Sequence, residues 1–290
     1  MIQYDAHNWF EHLLDIKGSM FREIIGRVLT CVAWAAVVCV LNQHASDFFR
    51  LESLGFPDTA HGLIGSVLGL LLVFRTNASY DRFWEGRKIW GAMINDCRNL
   101  ARLSKIWMQR DQQLANEICE WITVYPWMVM RRLRGTQDDG TSHWNLDPVE
   151  LSAVLKSKQA SLEVAGKLSR LLLLARDRGL LSELQLIATE SNVQRLVDYL
   201  GGCERIQNTP LPFAYMVHLR RALIVYCFTL PFALLDKFHW GTVVVVLLIS
   251  YLMFGIEEIG VEIENPFGIE ENDLPLERLC ETIQRDVRAL

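Results

Sequence analysis

The chain lacks most of the features that mark metalloenzymes, secreted proteins and nucleic-acid-binding proteins. Its seven cysteines are scattered over 290 residues, are odd in number and never form a C-x-x-C pair. This usage predicts reduced, buried thiols rather than a disulfide framework or a zinc site. The first residues lack the basic-then-apolar pattern of a cleaved signal peptide. A formal net charge of −5 gives no support for nucleic-acid binding, and no such partner is predicted.

Charge is also absent from four long stretches of the chain. Residues 28–46, 59–74, 222–235 and 241–256 contain no Asp, Glu, Lys or Arg. The first stretch spans nineteen residues, which is enough to cross the bilayer core at a helical rise of about 1.5 Å per residue. Basic residues gather before the first stretch, after the second and before the third. By the positive-inside rule, this alternation predicts four membrane helices with both termini in the cytosol.

The second stretch changes abruptly from apolar to charged while it stays compatible with a helix, so it predicts one helix leaving lipid for water. Gly65 and Gly69 form a G-x-x-x-G pair, which lets helix backbones approach closely in lipid. Ser66, Leu70 and Phe74 lie four residues apart and share one helix face. That face either packs within an ordinary bundle or, in an assembly of several copies, lines a pore.

Composition divides the chain into four segments. Residues 1–74 hold the N-terminal segment and the first two membrane helices, including the candidate pore neck. Residues 75–221 show apolar positions three and four apart, which predicts a cytosolic domain of about five amphipathic helices. Residues 222–256 form a membrane hairpin, and residues 257–290 form an acidic cytosolic C-terminal segment.

Local signals give some of the helix boundaries within these segments. Asp147 followed by Pro148 resembles a helix start, with the aspartate as N-cap and the proline at the first helical position. The sequence T-P-L-P-F at residues 209–213 breaks the helical pattern. Residues 135–143, with the sequence GTQDDGTSH, are the clearest loop.

Three longer motifs carry a family resemblance. They are FRTNASYDRFWEGRKIWG at residues 74–91, GCERIQNTPLPFAY at 202–215 and ENPFGIEENDLPLE at 264–277. They resemble the bestrophin family, most closely its bacterial members, and the order of the four apolar stretches agrees over nearly the whole chain. The resemblance implies an all-α integral membrane protein of the plasma (inner) membrane. Five identical subunits, each with four transmembrane helices and a cytosolic helical domain, would surround one axial pore.

The resemblance also implies a function and its site residues. A bestrophin-type channel conducts small monovalent ions, with chloride in the family label and sodium or potassium as alternatives in some bacterial members. The F-R-x-N motif places the three side chains of the hydrophobic neck at Ser66, Leu70 and Phe74, although family members usually carry an aliphatic residue where Ser66 stands. A second constriction, the cytosolic aperture, maps near Leu184, with Ile187 as the nearest competitor.

The family further implies a candidate metal site after the N-P-F-G motif. Animal members are activated by calcium through an acidic clasp in this segment. Here the segment is less acidic, and Glu270, Glu271 and Asp273 are the candidate ligands for a divalent cation, calcium or zinc. Fewer carboxylates weaken the affinity for a hard cation. The other interpretation is a solvated, turn-forming tail, and no other cofactor is predicted.

Two other classes of function compete with a channel. A membrane enzyme would need a catalytic constellation, for which Glu257, Glu258, Glu262 and Asp236 are candidates. No nearby histidine supplies the H-x-x-E or H-E-x-x-H spacing of a metalloenzyme, so no enzymatic activity is predicted. A secondary transporter often shows internal repeats, and none is visible here.

The arginines after the second apolar stretch also have two interpretations. Arg75, Arg82 and Arg87 are either juxtamembrane charges or residues that attract anions to a pore. The sequence alone does not show which way their side chains face.

Overall fold

A computed structural model describes residues 20–44, 58–136 and 144–290. Within these ranges it contains nine α-helices and no β-strand. Residues 1–19, 45–57 and 137–143 lie outside the described residues, and so do the end of the first apolar stretch, nearly all of the short external loop expected at 47–58 and most of the loop at 135–143. The helices are α1 (Phe21–His44), α2 (Asp58–Trp107), α3 (Gln112–Arg134), α4 (Pro148–Lys156), α5 (Ala160–Asp177), α6 (Glu183–Asn208), α7 (Phe213–Phe238), α8 (Gly241–Glu262) and α9 (Leu276–Arg288).

The chain divides into two compact units. One unit, called here the apolar unit, comprises Ile2–Phe83 and Pro210–Asn265. The other, called the amphipathic unit, comprises Trp84–Thr209 and Pro266–Leu290. The division into four segments made from composition remains a prediction.

The apolar unit contains α1, the first part of α2, α7 and α8. Within the described part of the chain, these four helices are long and apolar enough to cross a membrane. The four helices pack around a shared hydrophobic core. The spacing of the buried residues in α1 shows why this helix turns one side toward the core. Ile24, Val28, Cys31 and Ala35 recur at intervals of four, three and four residues and are at most 2% exposed. This spacing keeps them on one stripe of the helix.

The amphipathic unit contains the rest of α2, helices α3 to α6, and α9. Residues 121–130 of α3 are buried without exception, and a helix that is buried on every side lies at the centre of its unit. The hydroxyl of Tyr125 donates a hydrogen bond of 2.6 Å to the Leu196 carbonyl of α6. Helix α9 contributes a stripe of buried side chains that includes Cys280 and Ile283.

Several local predictions are confirmed. Helix α2 is a single helix of 50 residues that continues from the apolar stretch into the charged one. The Asp147 side chain accepts a hydrogen bond from the Val149 backbone N–H, and Pro148 occupies the first turn of α4. The T-P-L-P-F break separates α6 from α7. All seven cysteines are free and buried.

The five residues between the last two apolar stretches, 236–240, suggest a short polar turn in the sequence, but the turn in the structure is shorter. Helix α7 continues to Phe238 and α8 begins at Gly241, so the turn comprises only His239 and Trp240. His239 has a φ of 47°, which reverses the chain within these two residues. Helix α8 likewise extends beyond its apolar stretch and ends at Glu262.

Candidate functional site

The apolar half of α2 has one buried face and one exposed face. With about 100° of rotation per residue, the face of Ser66, Leu70 and Phe74 lies roughly opposite the buried stripe. Leu70 is 55% exposed and Phe74 is 57% exposed, and Ser66 is exposed as well. Residues of the buried stripe pack inside the apolar unit and include His61, Leu68, Leu72, Arg75 and Ser79.

The G-x-x-x-G pair does not act as one contact surface. A Cβ atom on Gly65 would lie 2.5 Å from the hydroxyl oxygen of Tyr226 on α7. Within the described residues, a Cβ atom on Gly69 would meet no heavy atom within 4 Å. Gly65 therefore permits the close approach of α7 to α2, whereas Gly69 has no comparable contact in the part of the chain that the structure describes.

The hydroxyl group of Ser66 is bonded within its own helix. Its Oγ atom donates a hydrogen bond of 2.9 Å to the carbonyl oxygen of Gly62. Because the hydroxyl proton is already bonded, the exposed surface at this position is less polar than that of a free serine.

A buried network of charged side chains lies on the opposite side of α2. Arg75 and Glu257 are each 1% exposed, and Arg75 Nη1 donates to Glu257 Oε1. The same carboxylate oxygen accepts a hydrogen bond of 2.9 Å from Arg220 Nε. Arg27 Nη1 lies 2.7 Å from Glu258 Oε2 and 3.4 Å from Glu257 Oε2. The network joins all four helices of the apolar unit.

The surroundings of these charged side chains differ from those expected from the sequence. Arg75 is neither a solvated juxtamembrane charge nor exposed to passing ions, because its side chain is enclosed by the apolar unit. Glu257 and Glu258, considered above as catalytic candidates, are bound by arginines, while Asp236 is exposed. The available signal was the position of Glu257 directly after an apolar stretch, where an ionisable side chain requires a charged partner.

The bestrophin-like motifs contact one another in the apolar unit. Glu264, before the N-P-F-G sequence, accepts a hydrogen bond of 3.0 Å from the Leu211 backbone N–H. Its carbonyl oxygen accepts one of 3.1 Å from Arg82 Nε. The Tyr215 hydroxyl donates a bond of 2.9 Å to the Leu71 carbonyl. The motifs are distant in sequence but share these bonds.

Similar close contacts occur in the amphipathic unit. Phe267 of the N-P-F-G sequence is 1% exposed. A Cβ atom on Gly86 would lie 3.1 Å from its ring, and one on Gly202 would lie 2.9 Å from the Cδ1 atom of Ile89. The glycines of the motifs thus stand where side chains or backbones approach closely.

The two residues considered for the cytosolic aperture lie near the start of α6. Leu184 is 80% exposed and Ile187 is 64% exposed. Ser182 and Gln185 form a capping box at this end of the helix, which holds the backbone of the first turn in place. Both side chains are therefore largely uncovered by the described residues.

The three candidate metal ligands differ in their surroundings. The Asp273 carboxylate is buried and accepts a hydrogen bond of 2.7 Å from the Glu270 backbone N–H, while the side chains of Glu270 and Glu271 are exposed. Burial raises the pKa of Asp273 above its ordinary value. No cluster of three or more potential ligands from His, Cys, Asp and Glu occurs among the residues that the structure covers. The segment is a hydrogen-bonded turn that leads into α9.

Similarity to known proteins agrees with this arrangement. A family model described as bacterial/fungal bestrophin protein matches residues 1–289. The chain belongs to this bestrophin family. A voltage-dependent anion channel-forming protein of Nostoc sp. is 38% identical over 294 aligned positions, which cover 97% of this chain and 91% of the relative. A protein of the same description from Synechocystis sp. is 39% identical over 97% of this chain and 91% of its own length.

Solved structures of bestrophins share the fold. The crystal structure of a bacterial bestrophin homologue from Klebsiella pneumoniae superimposes with a TM-score of 0.84 at 28% identity. The match covers 92% of this chain and 97% of that structure. The all-helical architecture with four apolar helices is therefore that of a bestrophin.

Proposed function

We propose that this chain forms a homopentameric channel that conducts monovalent anions across the bacterial inner membrane. The observation that carries the proposal is the exposed face of α2, on which Leu70 and Phe74 remain more than half exposed. Large apolar side chains on a face opposite the core require lipid, a partner or a narrow pore around them. The names of the relatives from Nostoc and Synechocystis support anion conduction.

The neck of the proposed channel is formed by Ser66, Leu70 and Phe74 from five copies of α2. Rings of Leu and Phe narrow the water path and cannot replace the hydration shell of an ion, so they close the pore by excluding water. Ser66 contributes a weakly polar ring, because its hydroxyl already donates to the Gly62 carbonyl. The gate therefore depends mainly on Leu70 and Phe74.

The proposed second constriction uses the start of α6. Leu184 is the more exposed of the two candidates, and its apolar side chain gains most from contact with its copies in neighbouring subunits. Ile187, one turn further along the helix, is the alternative. In this arrangement the amphipathic unit is the cytosolic domain, and both termini are cytosolic.

Two measurements on the purified full-length protein test this function. In mild detergent, light scattering should give a protein mass of five times the 33.3 kDa chain mass. In planar bilayers with asymmetric sodium chloride, the reversal potential should move toward the chloride equilibrium potential. A monomeric protein would remove the basis of the proposal, and a shift toward the sodium potential would indicate cation conduction instead. Transport at carrier rates without unitary currents would favour a secondary transporter.

A further inference from the structure

A cavity in the apolar unit is not used by the proposed pore. It encloses about 370 Å³ between α1, α7 and α8. Its charged lining residues are Arg27, Arg220 and Glu257. The remaining lining residues are almost entirely apolar and are Thr30, Cys31, Leu223, Ile224, Phe228 and Phe254.

At the charged end of the cavity, some arginine N–H groups have no hydrogen-bond acceptor among the described residues. Arg220 uses its Nε atom for Glu257, and its two Nη atoms have no hydrogen-bond partner among the described residues. Arg27 uses Nη1 for Glu257 and Glu258. Their side chains are nearly half exposed, at 45% for Arg27 and 47% for Arg220. The lining at this end holds two arginines and one carboxylate, and Arg27 also pairs with Glu258, which lies outside the lining.

The apolar walls extend from this charged end along the helices. On α7, Arg220 and Phe228 are eight residues apart, which corresponds to about 12 Å along the helix axis. The Phe228 ring packs against Trp34 with centroids 5.9 Å apart, and the Trp34 indole N–H donates to the Phe228 carbonyl at 2.8 Å. This pair adds apolar surface at the end away from the charges. The cavity is therefore charged at one end and apolar along the rest of its length.

We propose that this cavity binds an anionic phospholipid of the cytosolic leaflet. The phosphate would accept hydrogen bonds from those guanidinium nitrogens of Arg27 and Arg220 that have no partner among the described residues, in the bidentate geometry that arginine favours. An acyl chain would lie along Leu223, Ile224 and Phe228. Helices α1 and α7 begin at the charged end, which the positive-inside rule places in the cytosol, and basic pockets between membrane helices on that side suit anionic headgroups.

Native mass spectrometry of the full-length protein in detergent tests this site. Phosphatidylglycerol and phosphatidylcholine are added separately, and the affinity of each is measured. Arg220→Gln should weaken phosphatidylglycerol binding about tenfold or more, because it removes charge-assisted hydrogen bonds. Arg221→Gln is the matched control, since Arg221 is an exposed neighbour outside the cavity lining, and it should bind as the parent protein does.

A second pair of variants keeps the test independent of charge and of the ion-pair network. Ile224→Trp fills the cavity, whereas Val225→Trp places the same side chain at an exposed position that does not line it. Only the first should reduce phosphatidylglycerol binding, again about tenfold. Equal binding by the cavity variants and their controls would overturn the proposal, as would equal binding of the two lipids by the parent protein.

Inorganic phosphate distinguishes a lipid site from a site for a free anion. Phosphate that displaced phosphatidylglycerol at equal concentration would show that the acyl chain contributes nothing, and this result would also overturn the proposal. Because binding is measured without an ionic current, the outcome is separate from that of the channel experiments.

Discussion

The guanidinium group of Arg75 and the carboxylate of Glu257 form an ion pair at a point where both residues are 1% exposed. Arg75 Nη1 also contacts the Glu257 backbone carbonyl at 3.3 Å. Since the two residues lie 182 positions apart on α2 and α8, the pair fixes these helices to each other. Removing one partner from a buried pair leaves an uncompensated charge, which costs far more than the intact pair contributes.

The glutamate of this pair should be the more sensitive partner. Glu257→Gln leaves Glu264, at 4.0 Å, as the carboxylate that pairs with the buried Arg75 among the described residues, and should lower the free energy of unfolding by about 3–5 kcal/mol. Arg75→Met should be milder, because Glu257 keeps Arg220 and Arg27. Thermal unfolding in detergent, followed by loss of the gel-filtration peak, measures both. A larger loss in Arg75→Met would contradict the assigned network.

The two glycines of the G-x-x-x-G pair should respond in opposite ways to alanine. Gly65→Ala places a methyl group against the Tyr226 hydroxyl and should destabilise the protein by about 1–3 kcal/mol. Gly69→Ala should be neutral or stabilising, because alanine favours a helix by about 1 kcal/mol over glycine. Adding Tyr226→Phe should partly rescue Gly65→Ala. Equal losses at Gly65 and Gly69 would show that the contact with α7 is not decisive.

Truncation of the proposed gate should make the pore easier to wet. Phe74→Ala and Leu70→Ala should raise open probability and unitary conductance severalfold in planar bilayers, because each removes a ring of apolar side chains. Ile64→Ala is the matched control: Ile64 is also about half exposed, at 48%, but lies about 120° around the helix from Leu70. If conductance, open probability and selectivity stay unchanged in both gate variants, the neck is not formed by these residues.

The contribution of the turn after the N-P-F-G sequence to folding stability should depend on pH through Asp273. Burial raises the pKa of Asp273 above its ordinary value of 3.8. When the pKa of a group is higher in the folded state than in the unfolded state, its contribution to folding stability is fully present below the unfolded-state pKa. That contribution is lost as pH rises through the folded-state pKa. Asp273→Asn keeps an oxygen that accepts the hydrogen bond from the Glu270 N–H, but its amide group does not titrate. Its stability relative to the parent protein should therefore increase as pH rises above about 4.

The same variant also tests for a metal. Thermal unfolding of the parent protein should not change when calcium or zinc is added, since Asp273 is bonded to the backbone and Glu270 and Glu271 are exposed. Stabilisation by either ion that disappeared in Asp273→Asn would establish the cation site that this arrangement argues against.

Patterns that act over a few residues could be predicted from the sequence. The absence of charge in residues 59–74 indicated an apolar helix, and the helix-compatible residues that follow indicated its continuation. Both are found in α2. The cap at Asp147 and the break at 209–213 were equally local. The motifs identified the family because each carries several residues whose spacing is constrained by contacts.

The contacts themselves could not be predicted in this way. Gly65 and Gly69 are equivalent in a G-x-x-x-G pattern, and only the position of Tyr226 on α7 distinguishes them. Arg75 directly follows an apolar stretch, as a juxtamembrane charge would, but its side chain is buried. The ion pair with Glu257 of α8 offsets the cost of burying this charge. Likewise, Asp273 stands in an acidic run, but its carboxylate is committed to the backbone of a turn.

Most helix positions, the apolar character of four helices and the family of the chain could be predicted from the amino-acid sequence alone. These properties depend on hydrophobicity, capping and spacing along the chain, which are local. Only the tertiary structure decided which charges are buried together, which glycine is needed and which face of α2 is left exposed. Those outcomes depend on side chains from helices far apart in sequence, and each pairing exists only once the helices have packed.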